Sequence, residues 1–269
     1  MDLLRYDFGY AWPWTWGHAI AAVLLALAAL ALWRLRRLGW AAACLALAAW
    51  ATAGAVIVNV MLGFSLPVSL PTARFLAGGT GRVVDLGAGS GRSTVMVLAA
   101  RPAARVTALD IFGTEYGISG NSPDRLIANA AAAGAADRLE VRVGDMRQMP
   151  FDDASFDGAV SVAAIDHLSR EDVRRTLAEI RRVVKPGGDV LLMVINQDAW
   201  IRTAFPFLAH HGYFGGRANP DRWREALSAA GLEVAEMGTQ PGTLYLLART
   251  PARVAGATPA ASVPAAFPR

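Results

Sequence analysis

The sequence predicts an α/β domain with a doubly wound sheet, preceded by a two-helix membrane hairpin. Three observations carry that prediction. The first 72 residues hold two long apolar segments free of charge. From Arg82 onward, strand-like apolar runs alternate with helix-like segments, the pattern of strands laid side by side with helices on both faces. The run Val83-Val84-Asp85-Leu86-Gly87-Ala88-Gly89-Ser90-Gly91-Arg92-Ser93-Thr94 reads as a buried strand, a glycine-rich turn and a helix start. Such a turn lets backbone press close to a ligand at a helix N-terminus. The expected organisation is a hairpin with its interfacial start and connector over 1–72, an α/β domain over 73–250, and an Ala- and Pro-rich tail over 251–269. The tail is expected to be disordered.

Composition narrows the class. The chain has 269 residues, 54% hydrophobic and only 18% charged. Its mean hydropathy of +0.33 is high for a soluble protein. The net charge of +4 comes mostly from scattered arginines with no long basic run. No nucleic-acid partner is therefore expected, and a basic surface suits anionic lipid. The one cysteine, Cys44, rules out an internal disulfide and a cysteine-cluster metal site. No metal site is expected.

The hairpin comes first in the chain. Trp16 to Trp33 contains no Asp, Glu, Lys or Arg. At 1.5 Å per residue it covers roughly 27 Å, close to a bilayer core of about 30 Å. Arg34-Leu35-Arg36-Arg37 follows, and Leu38 to Thr72 is again uncharged, with a second span from Trp40 to Leu62. Trp12, Trp14, Trp16, Trp33, Trp40 and Trp50 cluster at segment ends, as in an interfacial belt. The start is not basic and a second apolar segment follows directly, so the first segment reads as a span and not as a cleaved leader. Two spans put both termini on one side. The arginine turn favours a cytoplasmic loop, whereas the cofactor expected below favours a cytoplasmic α/β domain. The cofactor argument is the stronger one, so an integral membrane protein with a cytoplasmic domain is expected, or a hairpin dipping into one leaflet. Ala41, Ala48, Ala53 and Gly54 would let helices pack closely, within the hairpin or between copies as a homo-oligomer. His18 reads as an interhelical polar group. Phe64 to Pro71, with two prolines, reads as an extended connector.

The α/β elements follow in order. Strands are expected over about 82–86, 105–111, 139–143, 156–162, 189–195, 232–237 and 243–249. Helices are expected over 91–100, from Ser122 with Pro123 at its first position, from Ser169 to about Val184, and from Asn219-Pro220 to just before Gly231.

In an open α/β sheet the ligand sits beyond the carboxyl ends of the strands. Four stations lie there. The first is Asp85 with Gly87, Ala88, Gly89 and Gly91. The second is Asp110 with Ile111, where an acid can accept both hydroxyls of a ribose. The third is Gly144-Asp145-Met146, where a carboxylate can accept from an adenine amine and a backbone N–H can face a ring nitrogen. The fourth is Phe156-Asp157-Gly158-Ala159-Val160, leading to Asp166-His167-Leu168.

At these residues the chain resembles the class I S-adenosylmethionine-dependent methyltransferases, and most closely the branch that includes quinone-biosynthesis and small-molecule enzymes. The resemblance covers about Arg82 to Arg249. It also rests on Pro150-Phe151-Asp152-Asp153-Ala154-Ser155-Phe156-Asp157-Gly158 and on Arg182-Val183-Val184-Lys185-Pro186-Gly187-Gly188. It implies a Rossmann-like sheet of seven strands, the last antiparallel. It further implies S-adenosylmethionine held by Asp85, Gly87, Ala88, Gly89, Gly91, Asp110, Ile111, Asp145, Met146 and Val162. A dinucleotide dehydrogenase shares the glycine turn and the acid after the second strand. It predicts neither Asp85 nor the third station.

Methyl transfer asks mainly for positioning, because the sulfonium is already an activated leaving group. A base matters only for a protonated nucleophile of high pKa. Asp166 and His167 are the catalytic candidates, with His167 as base or Asp166 orienting it. Tyr116, Asn196, His210, His211 and Tyr213 are the substrate candidates; Gln197 and Asp198 follow Asn196 and face substrate or cap a turn. The aromatic stretch around Trp200, Phe205 and Phe207 forms a lid or packs under the hairpin. The expected acceptor is a small or medium apolar molecule that partitions into the bilayer: a lipid, a quinone-type isoprenoid or a hydrophobic thiol. The alternative is a membrane-tethered, non-catalytic sensor or assembly factor that binds the same cofactor.

Overall fold

The computed structural model describes residues 5–113, 119–206 and 219–252. Two long helices lead, α1 over Trp12–Arg34 and α2 over Leu38–Val56, the second running into a π-helical turn over Ile57–Met61. Pro13 stands in the first turn of α1, where its missing N–H costs nothing, and Arg34 sits in the last turn against the negative helix end. The two helices pack antiparallel on small residues: Ala29 of α1 and Ala41, Ala48, Ala51 and Gly54 of α2 are buried. Ala53, expected to share in this packing, is exposed. Gly54 has a specific task, because a Cβ there would stand 2.2 Å from the His18 ring. The opposite faces expose Val23, Leu24, Leu27, Leu30, Leu45 and Leu47. Both helices are long and apolar enough to cross a membrane, and most of their surface is unburied.

The sheet has seven strands: β1 Thr80–Leu86, β2 Ala103–Asp110, β3 Leu139–Val143, β4 Phe156–Val162, β5 Val184–Ile195, β6 Glu233–Gln240 and β7 Thr243–Arg249. Their spatial order is β3-β2-β1-β4-β5-β7-β6. Strands β1 to β5 are parallel, and β7 runs antiparallel to both β5 and β6. The order reverses between β1 and β4, and there the carboxyl ends splay to leave a crevice.

Helices cover both faces. On one, α5 (Arg170–Val183) and α7 (Pro220–Ala229) bury Val173, Leu177, Ile180, Trp223 and Leu227 against the sheet. On the other, α3 (Arg92–Ala100) supplies Met96, Val97 and Leu98, and α4 (Pro123–Ala132) supplies Leu126 and Ala130. Phe75 and Leu76 also lie in this second core, with Val68 and Leu70 of the connector packed against it. The caps follow the sequence. Ser122, Ser169 and Asn219 each accept a backbone N–H of the first turn, and Pro123 and Pro220 open their helices.

Several elements shift by two to four residues from the expected boundaries, and two stretches depart further. Strand β5 begins at Val184, because Val184 pairs with Phe156 ahead of an irregularity that admits Pro186-Gly187-Gly188. A short helix, α6 (Ala199–Ala204), occupies part of the link expected to be a long connection; Asp198 caps it by accepting from Trp200 and Ile201 N–H.

Candidate active site

The crevice at the carboxyl ends of β1, β2, β3 and β4 holds a cleft of about 810 Å³, its open mouth included. Each wall follows one station. Gly87 and Gly89 form the floor, Asp110 and Ile111 one side, Asp145 and Met146 another, and Ala163, Ala164, His167 and Leu168 the side after β4.

The floor needs glycine for a packing reason. Gly87 has φ +69°, and a Cβ on it would stand 2.4 Å from Ala164 Cβ and 2.9 Å from Met146 Cε. The turn then closes at Gly91 (φ +89°), the left-handed residue that starts α3. Two non-glycine residues at the rim, Phe112 and Ala163, also carry positive φ of 52° and 47°. Such strain gathers where a chain is held in one shape for a ligand.

Asp110 is wired to this turn. Its Oδ2 accepts from Gly89 N–H at 2.8 Å and its Oδ1 from Phe112 N–H at 2.5 Å. The carboxylate thus braces the loop and still presents lone pairs to the cleft. Asp145 is gripped by Arg147, with Nε 2.9 Å from each carboxylate oxygen and Nη2 2.7 Å from Oδ2. Those bonds hold its carboxyl below the usual carboxylate range. Arg147 Nη1 also reaches Asp172 at 3.4 Å, tying the third station to α5. Ile111 remains 53% exposed at the rim, an apolar surface free to lie against a flat ring.

Asp85 stands apart from the cleft. It is fully buried, and it accepts from Ser93 Oγ at 2.7 Å and from Thr94 Oγ1 at 2.5 Å. It pins the first turn of α3 to the end of β1, shaping the loop from behind. Burial raises its carboxyl to about 6, against the pull of the Thr94 and Ser93 hydroxyls. Between about pH 4 and 6 the folded chain therefore keeps a proton that the unfolded chain has released. Stability falls as pH rises through that window, by on the order of 3 kcal/mol. Asp85→Asn is expected to flatten this part of the profile. Urea unfolding across the window checks it, and an unchanged slope would contradict the assignment.

Of the residues expected to hold cofactor, the structure brings Gly87, Gly89, Asp110, Ile111, Asp145 and Met146 to the cleft wall. Asp85, Ala88, Gly91 and Val162 lie behind it or under it and do not line it. Of the catalytic pair, His167 lines the cleft, whereas Asp166 is buried and accepts from Ile195 N–H at 2.9 Å, bracing β5. Asn196 continues from β5, its N–H donating to Gly242 O at 2.8 Å, and it is not on the cleft wall. Tyr116, His210, His211 and Tyr213 fall outside the described residues. Leu168, at the end of the fourth station, also lines the cleft, and so do Asn121, Arg147 and Ala164, which the sequence did not single out. Arg147 was legible as a cation two residues after Asp145; the others have no local signal.

The two remaining motifs of the resemblance lie at the opposite end of the sheet. Lys185 Nζ donates to Asp157 Oδ1 at 2.6 Å, and Arg82 N–H donates to Asp157 Oδ2 at 2.8 Å. They join the starts of β1, β4 and β5 and touch no part of the cleft.

The hairpin meets the domain on the cleft side. Arg92, the residue after Gly91, donates from Nε to Leu66 O at 2.9 Å and from Nη2 to Leu62 O at 2.5 Å and Gly63 O at 2.7 Å. Its guanidinium lies over the Tyr10 and Phe64 rings at 5.7 and 5.9 Å. Elsewhere on the seam, His18 Nε2 stands 2.7 Å from Ala204 O, and Trp50 Nε1 donates to Thr203 O at 3.0 Å. Those carbonyls end α6, where a helix lacks partners of its own.

Comparison with known proteins agrees with the site. Residues 83–188 match the family model described as a methyltransferase domain. The 24-methylenesterol C-methyltransferase 2 of Oryza sativa subsp. japonica is 37% identical over 107 residues, which cover 40% of this chain and 27% of that protein. The ubiquinone/menaquinone biosynthesis C-methyltransferase UbiE of Brucella anthropi is 32% identical over 145 residues, covering 52% of this chain and 47% of that protein. The chain spans less than half the length of either relative. Among solved structures, an O-methyltransferase family protein from Burkholderia thailandensis aligns with a TM-score of 0.55 at 16% identity, over 78% of this chain and 61% of that one. That likeness is one of fold.

Proposed function

We propose that this chain, whose residues 83–188 match the methyltransferase-domain model, is a class I S-adenosylmethionine-dependent methyltransferase that methylates an apolar acceptor drawn from a lipid bilayer. The observation that carries the proposal is the junction at Arg92. One side chain joins the glycine loop to the end of a helical hairpin whose outer faces are leucine, valine and tryptophan. An exposed apolar surface of that size suits lipid. The named relatives are a 24-methylenesterol C-methyltransferase and a ubiquinone/menaquinone biosynthesis C-methyltransferase, and an apolar acceptor fits beside them.

The residues present suit the cofactor. The cleft is floored by a glycine loop whose Gly87 lets Ala164 and Met146 close in around it, and two carboxylates flank it at the ribose and adenine stations. When bound, S-adenosylmethionine supplies a methyl group on a positively charged sulfur. The chain's part is placement. Asp110 accepts the ribose hydroxyls, and Asp145, fixed by Arg147, accepts the adenine amine. Ile111 and Met146 cover apolar ring surface. Among the described residues, His167 is the cleft-lining imidazole that can take a proton from an acceptor hydroxyl or thiol, and a carbon or other unprotonated acceptor needs no such base. The hairpin holds the cleft beside the acceptor's own phase and raises its local concentration.

Calorimetry with S-adenosylmethionine or S-adenosylhomocysteine, on the whole chain in detergent or lipid, tests the cofactor. Absence of binding to either would refute the reading. Asp110→Ala is expected to weaken S-adenosylhomocysteine binding about 30-fold, near 2 kcal/mol, since both the ribose contacts and the Gly89 brace are lost. Transfer of radiolabelled methyl into a membrane extract tests turnover, and cofactor binding without any transfer would favour a sensor.

A further inference from the structure

Residues 5–10 form a strap that crosses the α/β domain before α1 begins. Arg5 Nη2 donates to Ala132 O at 2.6 Å, Asp7 N–H donates to Asn129 Oδ1 at 2.9 Å, and Asn129 Nδ2 donates back to Asp7 O at 2.8 Å. Between this strap, the first turn of α1 and the connector lies a second cavity, about 610 Å³ with its open mouth included. Its walls are mostly rings: Tyr6, Phe8, Tyr10, Trp16 and Phe64. They are already ordered against each other. Tyr6 and Phe8 stack at 5.5 Å with 10° between planes, and Tyr10 and Phe64 at 4.6 Å with 26°. Among the described residues, no lysine or arginine lines it, and the one lining carboxylate, Asp7, has a side chain 72% exposed.

The position of this cavity ties it to the cofactor cleft. Gly9 on its wall accepts from Ser119 N–H at 2.8 Å, and Ser119 belongs to the loop whose Gly113 and Asn121 line the cleft. Tyr10 and Phe64 stack on Arg92, next to Gly91. Trp16 stands at the head of the first apolar helix. The cavity thus lies between the lipid-facing hairpin and the glycine loop.

We propose that this ring-walled cavity binds the planar ring system of an amphiphilic acceptor. The choice of ligand follows from the walls. Aromatic faces reward another flat ring beyond the area it buries, whereas a saturated chain gains from area alone. The cations beside these rings, Arg5 over Tyr6 and Arg92 over Tyr10 and Phe64, are taken up by backbone carbonyls, Arg5 by Ala132 O and Arg92 by Gly63 O and Leu66 O, which leaves them little to offer an anionic head group. The cavity rests on the methyl-transfer reading only for the ligand's role as acceptor.

The test uses the whole chain in lipid vesicles and a naphthalene probe carrying a diazirine. Light-driven labelling is expected on peptides holding residues 6–10 or 64–65. Unlabelled 2-naphthol is expected to compete about tenfold better than 1-decanol, a difference near 1.4 kcal/mol. Ser65→Trp, which fills the cavity, is expected to abolish that labelling while S-adenosylhomocysteine binding persists and shows that the variant is folded. Labelling confined to the outer faces of the hairpin, or equal competition by 1-decanol, would overturn the proposal. Failure of the wild-type chain to bind S-adenosylhomocysteine would instead sink the methyl-transfer reading and leave the labelling result to stand by itself.

Discussion

Replacing Arg92 by alanine is expected to uncouple the hairpin from the glycine loop, with a loss of stability on the order of 3 kcal/mol. The side chain satisfies three carbonyls, of Leu62, Gly63 and Leu66, just past the end of the second apolar helix. Alanine would leave these acceptors without that donor and remove the cation that lies over the stacked Tyr10 and Phe64 rings. Arg92 also opens α3 directly after Gly91, so slack at this position passes into the loop. Weaker S-adenosylhomocysteine binding, by about tenfold, should accompany the loss of stability. Arg92→Lys is expected to recover only part of both, because an ammonium cannot reproduce the planar fork that reaches carbonyls in different directions. Thermal unfolding in detergent and calorimetry are the measurements. Wild-type values of both in Arg92→Ala would show that the junction carries no coupling.

Gly87→Ala is expected to abolish cofactor binding outright, with affinity down more than about 100-fold, or near 3 kcal/mol. Two costs combine. A residue with a Cβ at φ +69° pays on the order of 1 kcal/mol for the left-handed conformation. The Cβ would also meet Ala164 and Met146, which both line the cleft, at 2.4 and 2.9 Å. The walls must move apart, and the floor then no longer fits its ligand. Gly134→Ala is the matched control: φ there is +70°, and nothing lies within 4 Å of the added atom. That variant is expected to lose stability by a similar conformational amount and to bind S-adenosylhomocysteine as the wild type does. Equal binding by both variants would mean that the contacts at Gly87 do not shape the site.

Local sequence determined much of this architecture. The strands are short apolar runs bounded by glycine, proline or acid, and the helices carry their caps in the chain itself, at Ser122, Ser169 and Asn219. The cleft residues at Gly87, Asp110 and Asp145 follow directly from strand ends. What escaped reading depends on distance or on small size. Asp7 and Asn129 are 122 positions apart, and nothing near either one announces the other. Helix α6 has six residues and opens on Asn196-Gln197-Asp198, which read equally well as a turn. Asp85 reads as a ligand-facing acid by its place beside the glycines. Only the bonds from Ser93 and Thr94, one turn into the next helix, turn it inward.

The strap has a consequence for how the protein is made. A chain emerges amino end first, so residues 5–10 and both apolar helices exist well before α4 does. Asp7 has no Asn129 to bind until some 120 further residues have followed. On the proposed membrane reading, the hairpin reaches lipid while residues 5–10 are still loose. The strap then has to stay on the side where the α/β domain later folds, since a strap carried across a bilayer has no route back to α4. Docking of the strap is on that reading the closing step of assembly, and it completes the ring-walled cavity only after the helices and the α/β domain are in place.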